Sequence, residues 1–214
     1  MTDPADAAAY LVRFGDGAAL VDAGSGRDQT QLVKNIAECL GPNTQLEYLL
    51  LTHCHFVHAG GAKSVRDEFG CRIVTHELDA VYLESGDNNV TGAAAYGARL
   101  EPFNVDIKLH GQESTITVGS GAVTAIHCPG HSPGSVVYTT HVEGQLILFG
   151  QDIHGPIRSE WLSDEEQYLA SLARLVNLGA DLLLEGHFGV IETKQEVRNF
   201  IEDWITLPPQ PCRC

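Results

Sequence analysis

Apolar and polar residues follow two different periods along this chain, and the two periods predict strands and helices that succeed one another. Short apolar runs bounded by turn residues indicate strands. They cover residues 8–14, 18–22, 46–51, 72–75, 105–109, 114–118, 123–127, 135–140, 145–149 and 181–184. Apolar residues at helical spacing predict helices over residues 28–40, 62–69, 76–83, 164–178 and 193–205. Strands cluster early and again late, and each cluster is followed by helices, which indicates a layered α/β fold.

Local signals place several boundaries of these elements. Asp16-Gly17 favours a hairpin between the first two strands, and Gly41-Pro42 ends the first predicted helix. Ser163 is the predicted N-cap of helix 164–178, and Gly179 closes that helix. A length of 214 residues is enough for one substantial domain with its own core, so we expect a single domain over residues 1–214.

Three histidines lie within six residues in the loop after the predicted strand 46–51. His53 and His55 are two residues apart and point the same way in an extended backbone, and His58 follows them. The loop lies at the carboxyl end of a strand, where open α/β sheets place their ligand sites. Imidazoles aimed together suit a borderline cation such as zinc. The pattern therefore predicts a metal site at this edge of the sheet.

The stretch Thr52-His53-Cys54-His55-Phe56-Val57-His58 resembles the His-x-His-x-Asp-His motif of the metallo-β-lactamase superfamily, with Val57 where the family has aspartate. The resemblance extends over residues 21–187 and continues at three later strand ends. Those segments are Pro129-Gly130-His131-Ser132, Phe149-Gly150-Gln151-Asp152 and Glu185-Gly186-His187. The resemblance implies the four-layer αββα sandwich of this family. It also implies a set of metal ligands, namely His53, His55, His58, His131, Asp152 and His187.

By this resemblance, one metal site is formed by His53, His55, His131 and Asp152. His58 and His187 share Asp152 in a second site, which lacks the carboxylate that Val57 replaces. We therefore expect one firm zinc site and a weakened second site, with iron or manganese as alternative metals.

Four other polar residues near these motifs are expected to have supporting or ordinary roles. Asp22 resembles the aspartate with which the family buttresses the metal loop. We expect His76 to start a helix, and we expect His127 and His154 to lie outside the ligand set.

Three functions remain open on the sequence. The first is a glyoxalase II-like hydrolase, in which metal-activated water, oriented by Asp152 or a nearby histidine, attacks an ester, a thioester or a similar bond in a small molecule. The second is a persulfide dioxygenase-like oxidoreductase with a single iron held by His53, His131 and Asp152. The third is a metal-binding protein with little catalysis. Because 27 residues follow His187, we expect no glutathione-binding helical domain of the glyoxalase II type.

Composition narrows the partners and the compartment. The chain has 13 Lys and Arg against 28 Asp and Glu, a formal net charge of −15, which disfavours nucleic acid and anionic membranes as partners. No apolar run approaches the roughly 20 residues of a membrane span. The N-terminus lacks the features of a signal peptide, so we expect a cytoplasmic protein. The six cysteines show no CxxC pair and are expected to be free thiols, with Cys212 and Cys214 in a frayed terminus.

Two segments are the places where specificity for a substrate is expected to arise. Residues 84–103 are rich in glycine, asparagine and alanine, and they are either a lid over the metal site or an irregular surface segment. Residues 153–161 include Arg158 and Trp161, which either contact a substrate or have ordinary surface and packing roles. Neither the substrate nor the oligomeric state follows from the sequence.

Overall fold

The structure, a computed structural model, describes residues 6–207 as two β-sheets that face each other between two layers of helices. The first sheet has the strand order β1-β2-β3-β4-β5, in which β1 and β2 form an antiparallel hairpin and the later neighbours are parallel. Its strands are β1 (Tyr10–Phe14), β2 (Gly17–Val21), β3 (Gln45–Leu50), β4 (Arg72–His76) and β5 (Ile107–Leu109). Its helices are α1 (Gln29–Leu40), α2 (Phe56–Ala59), α3 (Ala62–Phe69) and α4 (Glu77–Ser85).

The second sheet has the order β11-β10-β9-β8-β7-β6 and is antiparallel except where β9 and β10 run parallel. Its strands are β6 (Glu113–Val118), β7 (Gly121–His127), β8 (Val136–Val142), β9 (Gln145–Phe149), β10 (Leu182–Glu185) and β11 (Gly189–Glu192). A parallel pair needs a crossover, and helix α5 (Glu165–Leu178) provides it between β9 and β10. Helix α6 (Lys194–Thr206) follows β11.

Three apolar clusters hold the four layers together. The central cluster joins inward residues of both sheets, such as Val21 and Leu50 from the first and Val123 and Tyr138 from the second. A second cluster packs helices α1 to α4 on the outer face of the first sheet, and a third packs α5 and α6 on the second. Strand β2 is buried along its whole length because it has a neighbouring layer on both faces. The predicted αββα sandwich is confirmed.

The structure corrects the predicted elements at three points. The N-cap of α5 is Asp164, whose side chain accepts a hydrogen bond from the Gln167 amide, and not Ser163. The Ser163 hydroxyl instead donates to the carbonyl of His131 at 2.7 Å. Strand β11 and the four-residue helix α2 were not predicted, because each is too short to show a period of its own.

The expectations about free cysteines and about membrane spans can be compared with the structure over residues 6–207. Cys39, Cys54, Cys71 and Cys128 are free thiols, as expected, whereas Cys212 and Cys214 lie outside the described residues. Between residues 6 and 207, none of the helices is both long and apolar enough to cross a membrane.

Candidate metal centre

Six side chains converge where strands of both sheets end. His53 and His55 follow β3, His58 lies on α2, His131 lies between β7 and β8, and the remaining pair, Asp152 and His187, follow β9 and β10. One ligand atom from each of His53, His55, His131 and Asp152 lies within 4.8 Å of the others. The same limit joins His58, Asp152 and His187. We call these three residues the second group and the preceding four the first group. The structure thus brings together every residue in the predicted ligand set.

The carboxylate of Asp152 lies between the two groups. Its Oδ2 atom is 3.3 Å from Nε2 of His131 and 4.0 Å from Nε2 of His53. Its Oδ1 atom is 2.8 Å from Nε2 of His58 and 3.5 Å from Nε2 of His187. One oxygen therefore faces each group, which is the arrangement that a carboxylate needs to contact two cations.

The atoms that face this centre lack hydrogen-bond partners although they are buried. This holds for Nε2 of His53, His55, His58 and His131 and for Oδ1 of Asp152. His58 Nε2 and Asp152 Oδ1 lie only 2.8 Å apart. Burying unpaired polar atoms is costly, and native structures rarely leave several together. A cation that accepts these lone pairs removes the cost, so the donor set fits a metal ion.

Electrostatics prepares the first group in the protonation state that a metal requires. Burial, reinforced by neighbouring histidines, holds the pKa of His53 and of His55 well below the ordinary value, so both imidazoles are neutral. Burial raises the pKa of Asp152, but His58 and His187 lower it more, and the carboxylate is ionised. Neutral imidazole and ionised carboxylate are the forms that bind divalent metals.

His58 is held differently from the other histidines. Its Nδ1 atom lies 2.7 Å from Oδ2 of Asp22, and its Nε2 atom faces Asp152. Burial lowers its pKa, but the two carboxylates outweigh burial and raise the pKa to about 10. A cation at Nε2 must therefore displace a proton, and this competition weakens the second group as a metal site.

Asp22 has the supporting position expected of it. Its Oδ1 atom accepts a hydrogen bond from the Thr52 amide at 2.8 Å, and its Oδ2 atom accepts one from the Thr52 hydroxyl at 2.8 Å. The same Oδ2 atom holds the ring of His58. Asp22 adopts a positive φ of 60°, a strained conformation for a residue with a side chain, of the kind that clusters at functional sites.

Val57 supplies no ligand atom to the second group. Its side chain is buried in the apolar cluster of the first helical layer, and its carbonyl accepts a hydrogen bond from the Ala7 amide at 3.2 Å. The second group consequently offers three side chains, of which His187 is exposed.

Three further histidines lie outside the predicted set of six ligands, and the structure separates their roles. His76 caps α4, accepting a hydrogen bond from the Leu78 amide, and its ring stacks on His127 with centroids 4.0 Å apart. His154 lies 2.8 Å from Oε1 of Glu185, and these two residues form a third group of potential ligands with Asp152. The sequence did not single out Glu185. Its signal is a carboxylate at the end of an apolar strand, one residue before Gly186 and His187.

Trp161 forms a wall of the site. The centroid of its ring lies 4.5 Å from that of His55 and 6.2 Å from that of His131. The guanidinium carbon of Arg158 lies over the same indole ring, 4.9 Å from its centroid. Residues 84–103 contain a 3-10 helix, Ala93–Tyr96, and pack beside this wall. Within this segment, Thr91 accepts a hydrogen bond from the Phe56 amide, and a Cβ atom on Gly92 would meet the Trp161 indole at 3.3 Å.

Comparison with known proteins identifies the family of this chain. A sequence model of the metallo-beta-lactamase superfamily matches residues 2–187. Acyl-coenzyme A thioesterase MBLAC2 from Gallus gallus is 27% identical over 214 aligned residues, which cover 88% of this chain and 75% of that protein. Probable metallo-hydrolase YflN from Bacillus subtilis (strain 168) is 24% identical, over 84% of this chain and 78% of that protein. Beta-lactamase-like protein 2 homolog from Drosophila melanogaster is 27% identical, but the chain spans only 59% of its length.

Solved structures share the same fold. Rm3 metallo-beta-lactamase superposes with a TM-score of 0.77 at 20% identity, over 94% of this chain and 86% of that chain. A Cronobacter sakazakii metallo-beta-lactamase superposes with a TM-score of 0.73 at 23% identity, over 85% and 72%. Since the family model covers most of the sequence and the fold agrees throughout, the chain belongs to the metallo-beta-lactamase superfamily.

Proposed function

We propose that this protein is a metal-dependent hydrolase that cleaves an ester or thioester bond in a small molecule. One observation carries the proposal. Three imidazole nitrogens, on His53, His55 and His131, converge with an ionised carboxylate, and the nitrogens are buried without hydrogen-bond partners. Such a donor set is the one that a zinc ion fits.

In this proposal, His53, His55, His131 and Asp152 hold the first ion. A zinc ion bound there supplies Lewis acidity, which activates water near neutral pH and polarises the carbonyl of a substrate. Asp152 has a second task because its Oδ1 atom lacks a hydrogen-bond partner and faces the second group. This atom is placed to accept a hydrogen bond from water and so to orient it. Trp161 and Arg158 line the approach to His55 and are expected to contact the substrate.

The second metal position is proposed to be weak. It has three ligands, His58, Asp152 and His187, and Val57 stands where the family has a carboxylate. It also competes with the proton that Asp22 and Asp152 stabilise on His58. We expect one firmly bound zinc, with iron or manganese as the alternative occupants.

The choice of substrate class draws on the named relatives and on charge. A relative at 27% identity is an acyl-coenzyme A thioesterase, and another at 24% is a probable metallo-hydrolase. The formal net charge of −15 disfavours nucleic acid and anionic membranes. A small-molecule thioester or ester is therefore the proposed substrate.

The dioxygenase alternative uses His53, His131 and Asp152, two histidines and one carboxylate that suit iron with open positions. In the structure, a third imidazole, that of His55, points into the same space. With His55 the set has three imidazoles and one carboxylate, which differs from the two-histidine, one-carboxylate set typical of non-haem iron and suits zinc, so the hydrolase is preferred.

The deciding experiment combines elemental analysis of the purified protein with activity assays. We expect zinc near one atom per chain and hydrolysis of a simple ester and a simple thioester. Removal of the metal with a chelator should abolish both activities, and added zinc should restore them. About one iron per chain with oxygen uptake on a persulfide would instead establish the oxidoreductase. Bound metal without turnover of either substrate would indicate a binding protein.

A further inference from the structure

Asp79 is a fully buried carboxylate on α4 that does not belong to the ligand set. Its Oδ2 atom accepts hydrogen bonds from the Cys54 amide and from the Ser132 hydroxyl, each at 2.7 Å. Its Oδ1 atom accepts a hydrogen bond from the Gly134 amide at 2.6 Å. One carboxylate therefore contacts two separate loops and is satisfied by donors from both.

These donors lie beside the candidate ligands along the chain. Cys54 lies between His53 and His55, and Ser132 follows His131 directly. His53 and His55 belong to the loop after β3 of the first sheet, whereas His131 belongs to the loop between β7 and β8 of the second sheet. Asp79 is thus a direct polar connection between the two loops that must bring their nitrogens to one ion.

The loop that carries His131 is also packed tightly against α4. A Cβ atom on Gly134 would lie 2.5 Å from the Asp79 amide nitrogen, so this approach leaves no space for a side chain. Within the loop, the hydroxyls of Ser132 and Ser135 are 2.7 Å apart, and the Ser132 amide donates to Ser135 Oγ at 3.1 Å.

A second contact reinforces the first at the start of the same helix. The ring of His76, the N-cap of α4, lies parallel to that of His127, and Nε2 of His127 is 3.0 Å from the Pro133 carbonyl. The start of α4 consequently contacts the His131 loop directly through Asp79 and indirectly, by way of His127, through His76.

We propose that Asp79 is a positioning residue for the first metal site, which sets the separation between the His53–His55 loop and the His131 loop. The inference rests on the proposed metal site. Both oxygens of Asp79 accept hydrogen bonds from donors in the two loops, so the three bonds fix the position of one loop relative to the other. Residues that hold metal ligands in place without touching the metal typically contribute 10- to 100-fold to metal affinity.

Replacing Asp79 by asparagine keeps the shape but not the hydrogen bonding. The new amide group presents N–H donors on one side, and each side of the present carboxylate already faces a backbone N–H. At least one loop must then move away. We expect Asp79→Asn to weaken zinc binding by roughly 10- to 100-fold.

The test measures zinc affinity of the metal-free protein by competition with a chromophoric chelator, a readout that does not require activity. Asp181→Asn is the matched control, because Asp181 accepts a hydrogen bond from the Leu146 amide at 2.9 Å and does not contact either ligand loop. This control is expected to keep wild-type zinc affinity. Urea unfolding of both variants separates lost stability from lost affinity.

Ser132→Ala serves as a milder variant if Asp79→Asn does not fold, since it removes one of the three donors. It is expected to weaken zinc binding several-fold. Unchanged affinity in these variants, or an equal loss in Asp181→Asn, overturns the inference and leaves the proposed function standing. A wild-type protein that binds no divalent metal overturns both.

Discussion

The two oxygens of Asp152 face different histidines, and this division sets the chemistry of the centre. Oδ2 belongs with His53 and His131, while Oδ1 belongs with His58 and His187. Each oxygen can serve one cation, but the number of other ligands differs between the two sides. The side next to Val57 is short of one carboxylate.

A first prediction concerns this missing carboxylate. Val57→Asp should raise the metal content from about one toward two atoms per chain, because it adds a negative ligand beside His58. In the metal-free state the same change should destabilise the fold, since it buries a charge in an apolar cluster. Elemental analysis after dialysis measures the first effect, and urea unfolding measures the second.

The control for that variant is Val57→Thr, which is similar in shape but adds no charge. It should leave the metal content unchanged. If Val57→Asp also leaves the metal content at one, the absent carboxylate does not explain a weak second position.

A second prediction distinguishes two histidines of one segment. His131→Ala should remove most of the firmly bound metal, a larger effect than the 10- to 100-fold loss typical of a residue that only supports a ligand. His127→Ala should retain most of the metal, because the His127 ring stacks on His76 and only supports the His131 loop, through the Pro133 carbonyl. Metal content of the two purified variants tests the pair, and retention of metal in His131→Ala contradicts the assigned set.

At the scale of elements, the ends of β3, β9 and β10 and the β7–β8 loop place the candidate ligands at one edge of the sandwich. Helix α4 has a separate part in this arrangement. It begins at a histidine cap and carries a buried carboxylate in its first turn. The carboxylate contacts the His131 loop directly, whereas the cap contacts His127 at the end of β7. A change at His76 or Asp79 is therefore expected to affect the stability of the fold as well as the metal site.

The third prediction uses the cap of α4. Burial, together with the neighbouring His127, lowers the pKa of His76 to about 4. The folded protein then holds this ring neutral, while the unfolded chain binds a proton below about pH 6.5, so stability falls as the pH drops from 6.5 toward 4. We expect this residue to account for a loss on the order of 1 kcal/mol or more over this pH range.

His76→Asn removes the titration but keeps a side chain that caps helices well. The free energy of unfolding of this variant, measured by urea between pH 4 and pH 7, should depend less on pH than that of the wild type. Parallel curves for the two proteins would contradict the assignment.

Most elements were predictable because their apolar periods are long enough to be recognised. The strand over residues 145–149 and the helix over 62–69 have the predicted bounds. Strand β11 and helix α2 have four residues each and depend on tertiary packing. Asp79 also escaped notice, although it lies four residues before Leu83 on a buried face of α4. A carboxylate at such a position implies buried donors, but the sequence does not show which loops supply them.

At the scale of the whole molecule, the candidate centre connects the two sheets. His53 and His55 follow a strand of the first sheet, and His131, Asp152 and His187 lie at strand ends of the second. A single ion bound there ties the two halves of the sandwich together.

The fourth prediction follows from this placement. Because a ligand that binds only the folded state stabilises it, free zinc at a thousand times its Kd should add about 4 kcal/mol to the free energy of unfolding. Thermal unfolding of chelator-treated protein should therefore begin at a lower temperature and recover when zinc returns. His131→Ala should show a much smaller difference in unfolding temperature with and without zinc. Equal unfolding temperatures for the zinc-bound and zinc-free wild type would contradict a metal ion whose ligands come from both sheets.

The two tryptophans of the chain stand at opposite sides of the centre. Trp161 lies against His55 of the first group, and Trp204 lies 5.9 Å from His154, whose ring is 5.3 Å from His187 of the second group. Each indole is therefore a fluorophore next to a different metal position. When one tryptophan is changed to phenylalanine, cobalt or copper that binds nearby quenches the fluorescence of the other. Titrating the two single-tryptophan variants therefore reports which metal position fills first.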